Sequence, residues 1–161
     1  MIAIDIGKRV SGVATFADDG ELICAVEIHA PPGAMAQALA SAPPADRRGD
    51  QWVAERMVDY QSKGARAAAL GGLRLQLEQL RKLIRPAKLR LVRASAWKGN
   101  VPKDVCFQRI AQELTRHERA RVYPWPASAG GEGKEAVDAV GIGLFILGRL
   151  GRGMARKGGA C

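Results

Sequence analysis

The sequence predicts an α/β protein, a mixed β-sheet with helices on its faces. Three observations carry that expectation. Residues 2–29 hold three strand-like runs joined by short turns, an antiparallel meander. Strand-like and helical runs then alternate, the pattern of parallel strands joined by crossovers. Finally, 161 residues with 47% hydrophobic and 25% charged side chains suit one domain with a sizeable core.

Each element follows from its own residues. "IAIDIG" reads as a first strand that ends in a turn at Gly7-Lys8-Arg9. "SGVATFA" (11–17) is a second strand, and Asp18-Asp19-Gly20 is a strong hairpin turn. "ELICAVEIH" (21–29) alternates Leu22, Cys24, Val26 and Ile28 on one face, a third strand. Residues 30–50 shift to Ala and Pro and leave room for one short helix at about 34–41. "QWVAERMV" (51–58) resumes a strand pattern, with Glu55 inside it.

Residues 65–84 form the longest helical segment, and Leu70, Leu73, Leu77, Leu80 and Ile84 are spaced 3, 4, 3, 4 along it. That seam has two readings, packing on the sheet or pairing with a second copy. Pro86 ends it. "KLRLVRAS" (88–95) is a further strand, and Pro102 stands at a first helical position. Cys106, Ile110 and Leu114 make the buried stripe of that helix, with Lys103, Arg109, Gln112 and Arg116 facing out. A Pro-rich loop (Tyr123 to Pro126) leads to a last helix from about 133. Residues 1–150 are expected to form the domain, and 151–161 a basic, glycine-rich, frayed tail.

Charge points to the partner. With 25 Lys and Arg against 16 Asp and Glu the net charge is +9, and the isoelectric point is about 10.0. A polyanion is the natural partner of such a chain. Cys24, Cys106 and Cys161 form no C-x-x-C pair, so neither a zinc site nor a disulfide framework is supported. His29 and His117 stand alone. The run 136–148 is too short for a membrane span and carries Asp138. Without a charged leader and apolar signal core, the chain is expected to be soluble and cytoplasmic.

Acids in three places break the hydrophobic pattern. Asp5 sits between Ile4 and Ile6, Glu55 lies late in the fourth strand, and Glu135 and Asp138 open an otherwise oily helix. Residues three apart share a helix face. If the first and fourth strands are neighbours and the last helix crosses them, all four carboxylates meet. Without lysine neighbours such a cluster repels itself, unless divalent cations neutralise it. Oxygen-only ligands favour Mg²⁺ or Mn²⁺ over zinc, and two such ions can activate a water and stabilise the leaving oxygen in phosphodiester cleavage.

These motifs, in this order, resemble the RuvC-type Holliday junction resolvases of the RNase H-like superfamily, especially short phage and prophage forms. "IDIGKRVSG" resembles the opening Asp-x-Gly-x-Arg-x-Thr/Ser-Gly, and "VAERMVDYQSKGARAAALGGL" resembles the strand Glu followed by a helix. "WKGNVPKDV" resembles the tract with a helix-starting lysine, and "EAVDAVGIGL" the terminal acid-x-x-Asp-Ala helix. The resemblance spans nearly the whole chain. It implies a five-stranded RNase H-like sheet with helices on both faces. The implied activity is Mg²⁺-dependent, symmetric nicking of four-way junctions by a homodimer, with two ions per site and Mn²⁺ able to substitute. By the same resemblance Asp5, Glu55, Glu135 and Asp138 are the catalytic metal ligands, and Lys103 is the basic residue near the scissile phosphate. DNA contacts are implied for Lys8, Arg9, Arg56, Tyr60, Lys63, Arg66, Lys98 and Lys103.

Departures exist. Glu135 stands where relatives carry Asp or His, and Val58 where the best-known members have a stacking aromatic, with Tyr60 two residues on. Three alternatives frame the expectation. The opening also resembles the phosphate loop of actin-like ATPases, but these need two large lobes and a second glycine-rich loop. A non-catalytic DNA-binding relative would not need all four acids. Another RNase H-like nuclease, acting on RNA–DNA hybrids or other branched DNA, shares the same acid set.

Overall fold

The computed structural model describes residues 1–31, 33–42, 51–56, 65–84 and 89–150, with the backbone alone at 56 and 65–67. Its strands are β1 (Ile2–Asp5), β2 (Val10–Phe16), β3 (Leu22–His29), β4 (Trp52–Arg56), β5 (Leu89–Arg93) and β6 (Val122–Tyr123). The helices are α1 (Met35–Ser41), α2 (Ala65–Leu83), α3 (Ala94–Trp97), α4 (Lys103–Glu113), α5 (Arg116–Ala120) and α6 (Lys134–Ile146). The meander and the alternation both emerge as read. So does the location of the long helices.

All six strands join one sheet in the order β5-β4-β1-β2-β3-β6. The pairs β1–β2 and β2–β3 are antiparallel, whereas β1–β4, β4–β5 and β3–β6 are parallel. This is the mixed sheet the sequence predicts, with one strand more than the five expected. The sixth is the two-residue β6, in what reads from sequence as the start of a Pro-rich loop. So short a strand carries no periodicity for sequence to show.

Each face of the sheet has its own core. Ala3, Ala14, Phe16, Leu22, Ala25 and Val53 pack under α6, with Trp97 and the α4 residues Cys106 and Ile110. Ile2, Ile4, Val13, Trp52 and Ala54 pack under α1 and α2, against Met35, Leu39, Leu77, Leu80 and Ile84. The α2 seam is therefore settled over its C-terminal half. Leu77, Leu80 and Ile84 are core residues of this chain and not a seam for a second copy. A Leu77→Glu protein would bury a carboxylate and unfold. Leu75 and Leu83 are the large apolar residues that α2 exposes among the described residues.

Four further differences have local causes. The register shifts between Thr15 and Phe16, where Thr15 faces Cys24 and Phe16 faces Leu22. That bulge turns Leu22 to the α6 side with Ala25, so it does not share a face with Cys24 as strict alternation predicts. The strand expected over 88–95 ends at Arg93 because the chain turns into α3 at Ala94. Pro102 is the N-cap of α4, in extended conformation, one position before the first helical residue. Arg109 is half-buried, unlike its outward-facing neighbours Lys103 and Gln112, and its Nη1 is buried with no partner.

Several expectations fall outside the described residues: Val58, Tyr60 and Lys63 entirely, Arg56 and Arg66 for their side chains, and the tail 151–161. Among the described residues no helix is long and apolar enough to cross a membrane. Cys24 and Cys106 are free thiols, the latter buried.

Candidate active site

The sheet register builds the site. Asp5 pairs with Gly12, and Gly12 pairs with Glu27. On the other side Ile4 pairs with Ala54, so Asp5 and Glu55 are the next residues along their strands. Directly opposed residues point to the same face. Glu55, Asp5, Gly12 and Glu27 thus form one row across four strands, facing α6. The gap in that row is Gly12. A Cβ there would overlap the Glu135 carbonyl oxygen and its carbon, so α6 can land its first turn on the sheet only because residue 12 has no side chain.

Two more features fix that first turn. Gly133, the N-cap, adopts a φ of 88°, and a Cβ on it would overlap the Pro124 carbonyl. The backbone N–H of Glu135 donates to Glu27 Oε1 at 2.9 Å. Glu27 therefore acts as a cap supplied by the sheet, a negative group at a helix N-terminus. Its side chain is only 7% exposed, and its Oε2 lies 3.7 Å from His29 Nε2.

So seated, α6 brings Glu135 and Asp138 to Asp5. One carboxylate oxygen from each of the three lies within 4.8 Å of the others. Glu55 stands at the edge of this group rather than inside it. Its Oε2 accepts from the Trp97 indole N–H at 3.0 Å and lies 3.5 Å from Lys98 Nζ. Lys98 Nζ is also 3.6 Å from Asp138 Oδ2 and 4.5 Å from the Trp97 ring centroid. One lysine thus bridges the fourth acid to the other three.

A second lysine enters from the helix itself. Lys134 pairs with Glu135 through a short contact and reaches within 3.9 Å of Asp138. The expected cluster without lysine neighbours is corrected here: two ammonium groups sit among four carboxyls. Four carboxyls still outnumber two ammonium groups, and the acids crowd one another. Burial and then the Asp138 charge hold the Asp5 carboxyl well above its ordinary range, and Lys98 offsets this only in part. Burial also pushes Glu135 up, but the bonds from Lys134 and Asp5 outweigh it and leave Glu135 below the usual range. Asp5 thus holds its proton more tightly than an ordinary carboxyl, and Glu135 less tightly. Burial disfavours charge on both lysines, yet the acids around them raise both. An oxygen-only donor set whose carboxyls crowd one another fits a hard divalent cation.

Beside the acids opens a cleft whose lining includes Lys98, Lys103, Lys134 and Asp138. Lys103 is the first residue of α4 and exposed. Lys8 and Arg9 are exposed in the turn that follows Asp5.

Sequence reading misses Glu27, Trp97 and Lys134. Glu27 is visible only through strand register. Lys134 is adjacent to Glu135 in sequence, and that adjacency is the one signal that could have found it.

The far end of α6 is fixed by a buried pair. Arg149 Nη1 donates to Glu118 Oε1 at 2.6 Å and Nη2 to Oε2 at 2.9 Å. Glu118 also accepts from Leu22 N and Thr115 N. Hydrogen bonds from Arg149 first, and from Thr115 and Leu22, outweigh burial and lower the Glu118 carboxyl to about 2.

No protein-family model matches the chain, and no curated protein does. Solved structures do resemble it. A Thermus thermophilus RuvC structure aligns at 14% identity over 92% of this chain and 96% of that one, with a TM-score of 0.49. T. thermophilus RuvC in complex with Holliday junction substrate aligns at 14% identity over 94% and 96%, with a TM-score of 0.44.

Proposed function

We propose that this protein is a divalent-metal-dependent DNA endonuclease that nicks four-way junctions in pairs. One observation carries the reading: β1 and α6 bring three carboxylates within 4.8 Å, with a fourth on β4 tied in through Lys98, in a chain of net charge +9. Asp5, Glu135 and Asp138 would hold Mg²⁺ or Mn²⁺, with Glu55 completing the set. Bound there, the ions supply charge stabilisation and an activated water for phosphodiester hydrolysis.

The chain's own groups do the rest. The row across the sheet and the cap from Glu27 hold the acids in fixed geometry, which a catalytic site requires. Lys98 and Lys134 keep the acids close together while no cation is bound. Lys103, exposed in the cleft lining, draws in the DNA backbone, and Lys8 and Arg9, exposed in the turn after Asp5, add to the basic surface. Such phosphate contacts give no sequence choice but set register and affinity. Paired incision calls for two copies, and two-fold dimers are the commonest closed assemblies. We place the dimer contact on the α2 surface that carries Leu75 and Leu83.

Labelled four-way junction, flap, duplex and RNA–DNA hybrid, each with and without Mg²⁺, test the reading together with Asp138→Asn. Expected are paired nicks in the junction with Mg²⁺ alone, and a loss of roughly 10³-fold in rate for Asp138→Asn with DNA binding kept. Preferential cutting of the hybrid would move the protein to the ribonuclease branch of the same chemistry. Metal-independent binding with no cutting of any substrate would make it a DNA-binding module.

A further inference from the structure

The cleft beside the acids has two chemically different linings. Lys98, Lys103 and Lys134 supply positive charge, while Val101, Phe107 and Val137 supply an apolar wall. A site for phosphate alone needs cations and N–H donors and has no use for that wall. A site for an apolar partner has no use for three ammonium groups. Both are used by one ligand class, a nucleotide, with phosphate and base a few ångströms apart.

We propose that the cleft seats a single nucleotide unstacked from the DNA next to the scissile phosphate, with its base against the Phe107 ring. The inference rests on the nuclease reading and deepens it. Continuity argues for it, because Asp138 belongs both to the acid cluster and to the cleft. A strand whose phosphate lies at the acids must place a neighbouring nucleotide at the mouth of the cleft. Rigidity agrees as well: the Phe107 ring is braced by Trp125, with centroids 5.6 Å apart and planes inclined at 45°. A held aromatic face is what an unstacked base needs. A paired base shows only its edge, so entry requires extrusion from the stack. That step costs least where pairing is already disturbed, as at the crossover of a branched DNA. The cleft thereby gives the enzyme a physical reason to prefer junctions over duplex.

A thermodynamic cycle between ring and base tests this. Four-way junctions carrying one abasic site at each position within two nucleotides of the nick are titrated against the Asp5→Asn protein, which lacks a cluster acid but keeps the cleft. The same set is titrated against Asp5→Asn combined with Phe107→Leu, which keeps an apolar side chain against Trp125 but loses the aromatic face. At one position the ring and the base should be coupled by about 5- to 150-fold in Kd, the worth of one stacking contact. Val101→Ser, at another residue of the apolar lining, is measured in parallel, so that a misfolded Phe107→Leu protein still leaves the cleft testable; it should show the same coupling at the same position, more weakly. Purely additive losses at every position overturn the inference and leave the nuclease reading intact. A wild-type protein that neither binds nor nicks a junction overturns both.

Discussion

The two faces of the sheet are packed differently. Under α1 and α2 the sheet presents Ile2, Ile4, Val13 and Trp52, large side chains that meet Leu77, Leu80 and Ile84. Under α6 it also holds Phe16, Leu22 and Val53, but beside them it presents Ala3, Ala14, Ala25 and the bare Gly12, and the helix answers with Ala136, Ala139, Gly141 and Gly143. A Cβ at Gly141 would crowd Trp97, and one at Gly143 would overlap Phe16. Large residues maximise apolar area and therefore stability. Small residues bring backbones close, which is how acids on a helix reach an acid on a strand. The first face holds the fold, whereas the second sets a distance.

That division can be broken from either side. The largest effect is expected from Gly12→Ala. The new methyl group meets the Glu135 backbone, which cannot swing aside, so the head of α6 must lift. Metal-dependent nicking should fall by roughly 10²-fold or more, since such a displacement misplaces reacting groups, while overpacking lowers stability by about 1–3 kcal/mol. Nicking assays beside urea melts check both, and wild-type activity in a folded Gly12→Ala protein would show that close approach is unnecessary.

Leu80→Ala on the opposite face should do the reverse. It loses about 2–5 kcal/mol of stability to the cavity left behind, and activity per folded molecule stays near wild type. A matching loss of specific activity at a temperature where the protein remains folded would mean the two faces are not separable.

The foot of α6 gives a pH test. Glu118 titrates at about 2 in the folded protein against an ordinary value of 4.5. The unfolded chain therefore takes up its proton first as pH falls. The stabilisation is fully present above about pH 4.5 and is lost towards pH 2, amounting to roughly 3 kcal/mol over the window. Urea melts at successive pH values should show this slope, and Glu118→Gln should flatten it. An unchanged slope in the variant would assign acid sensitivity to other groups.

At the head of α6 the expected effect is smallest. Glu27→Ala leaves the Glu135 N–H without its acceptor and should weaken Mg²⁺ affinity by about 10- to 100-fold, as loss of a supporting group does. Glu27→Gln keeps an acceptor oxygen and should recover most of that loss. Equal metal affinity in both variants and wild type would reduce Glu27 to a spectator.

The same contrast explains what the sequence makes legible. Asp5, Glu55, Glu135 and Asp138 are visible because carboxylates interrupt apolar runs, and β1, β2 and the amphipathic helices are visible because their periods are intact. Glu27 hides because its role depends on which strand residue lies opposite Gly12, and register is a tertiary property. The α2 leucines are equally ambiguous from sequence, since a heptad seam packs as well on a sheet as on a second helix. Buried acids in sequence also suggest naked repulsion. Of the lysines that temper it, Lys98, the C-cap of α3, arrives by folding alone from 43 positions beyond Glu55, whereas Lys134 is Glu135's neighbour in the chain.

Those two lysines carry a consequence for handling the protein. Because Lys98 and Lys134 already lie against the acids, part of the cluster's charge is offset without any added ion. Metal loading is then an exchange of counter-ions rather than a folding event, the opposite of a zinc finger, whose fold collapses without its ion. A chelator should disarm this protein and leave it standing.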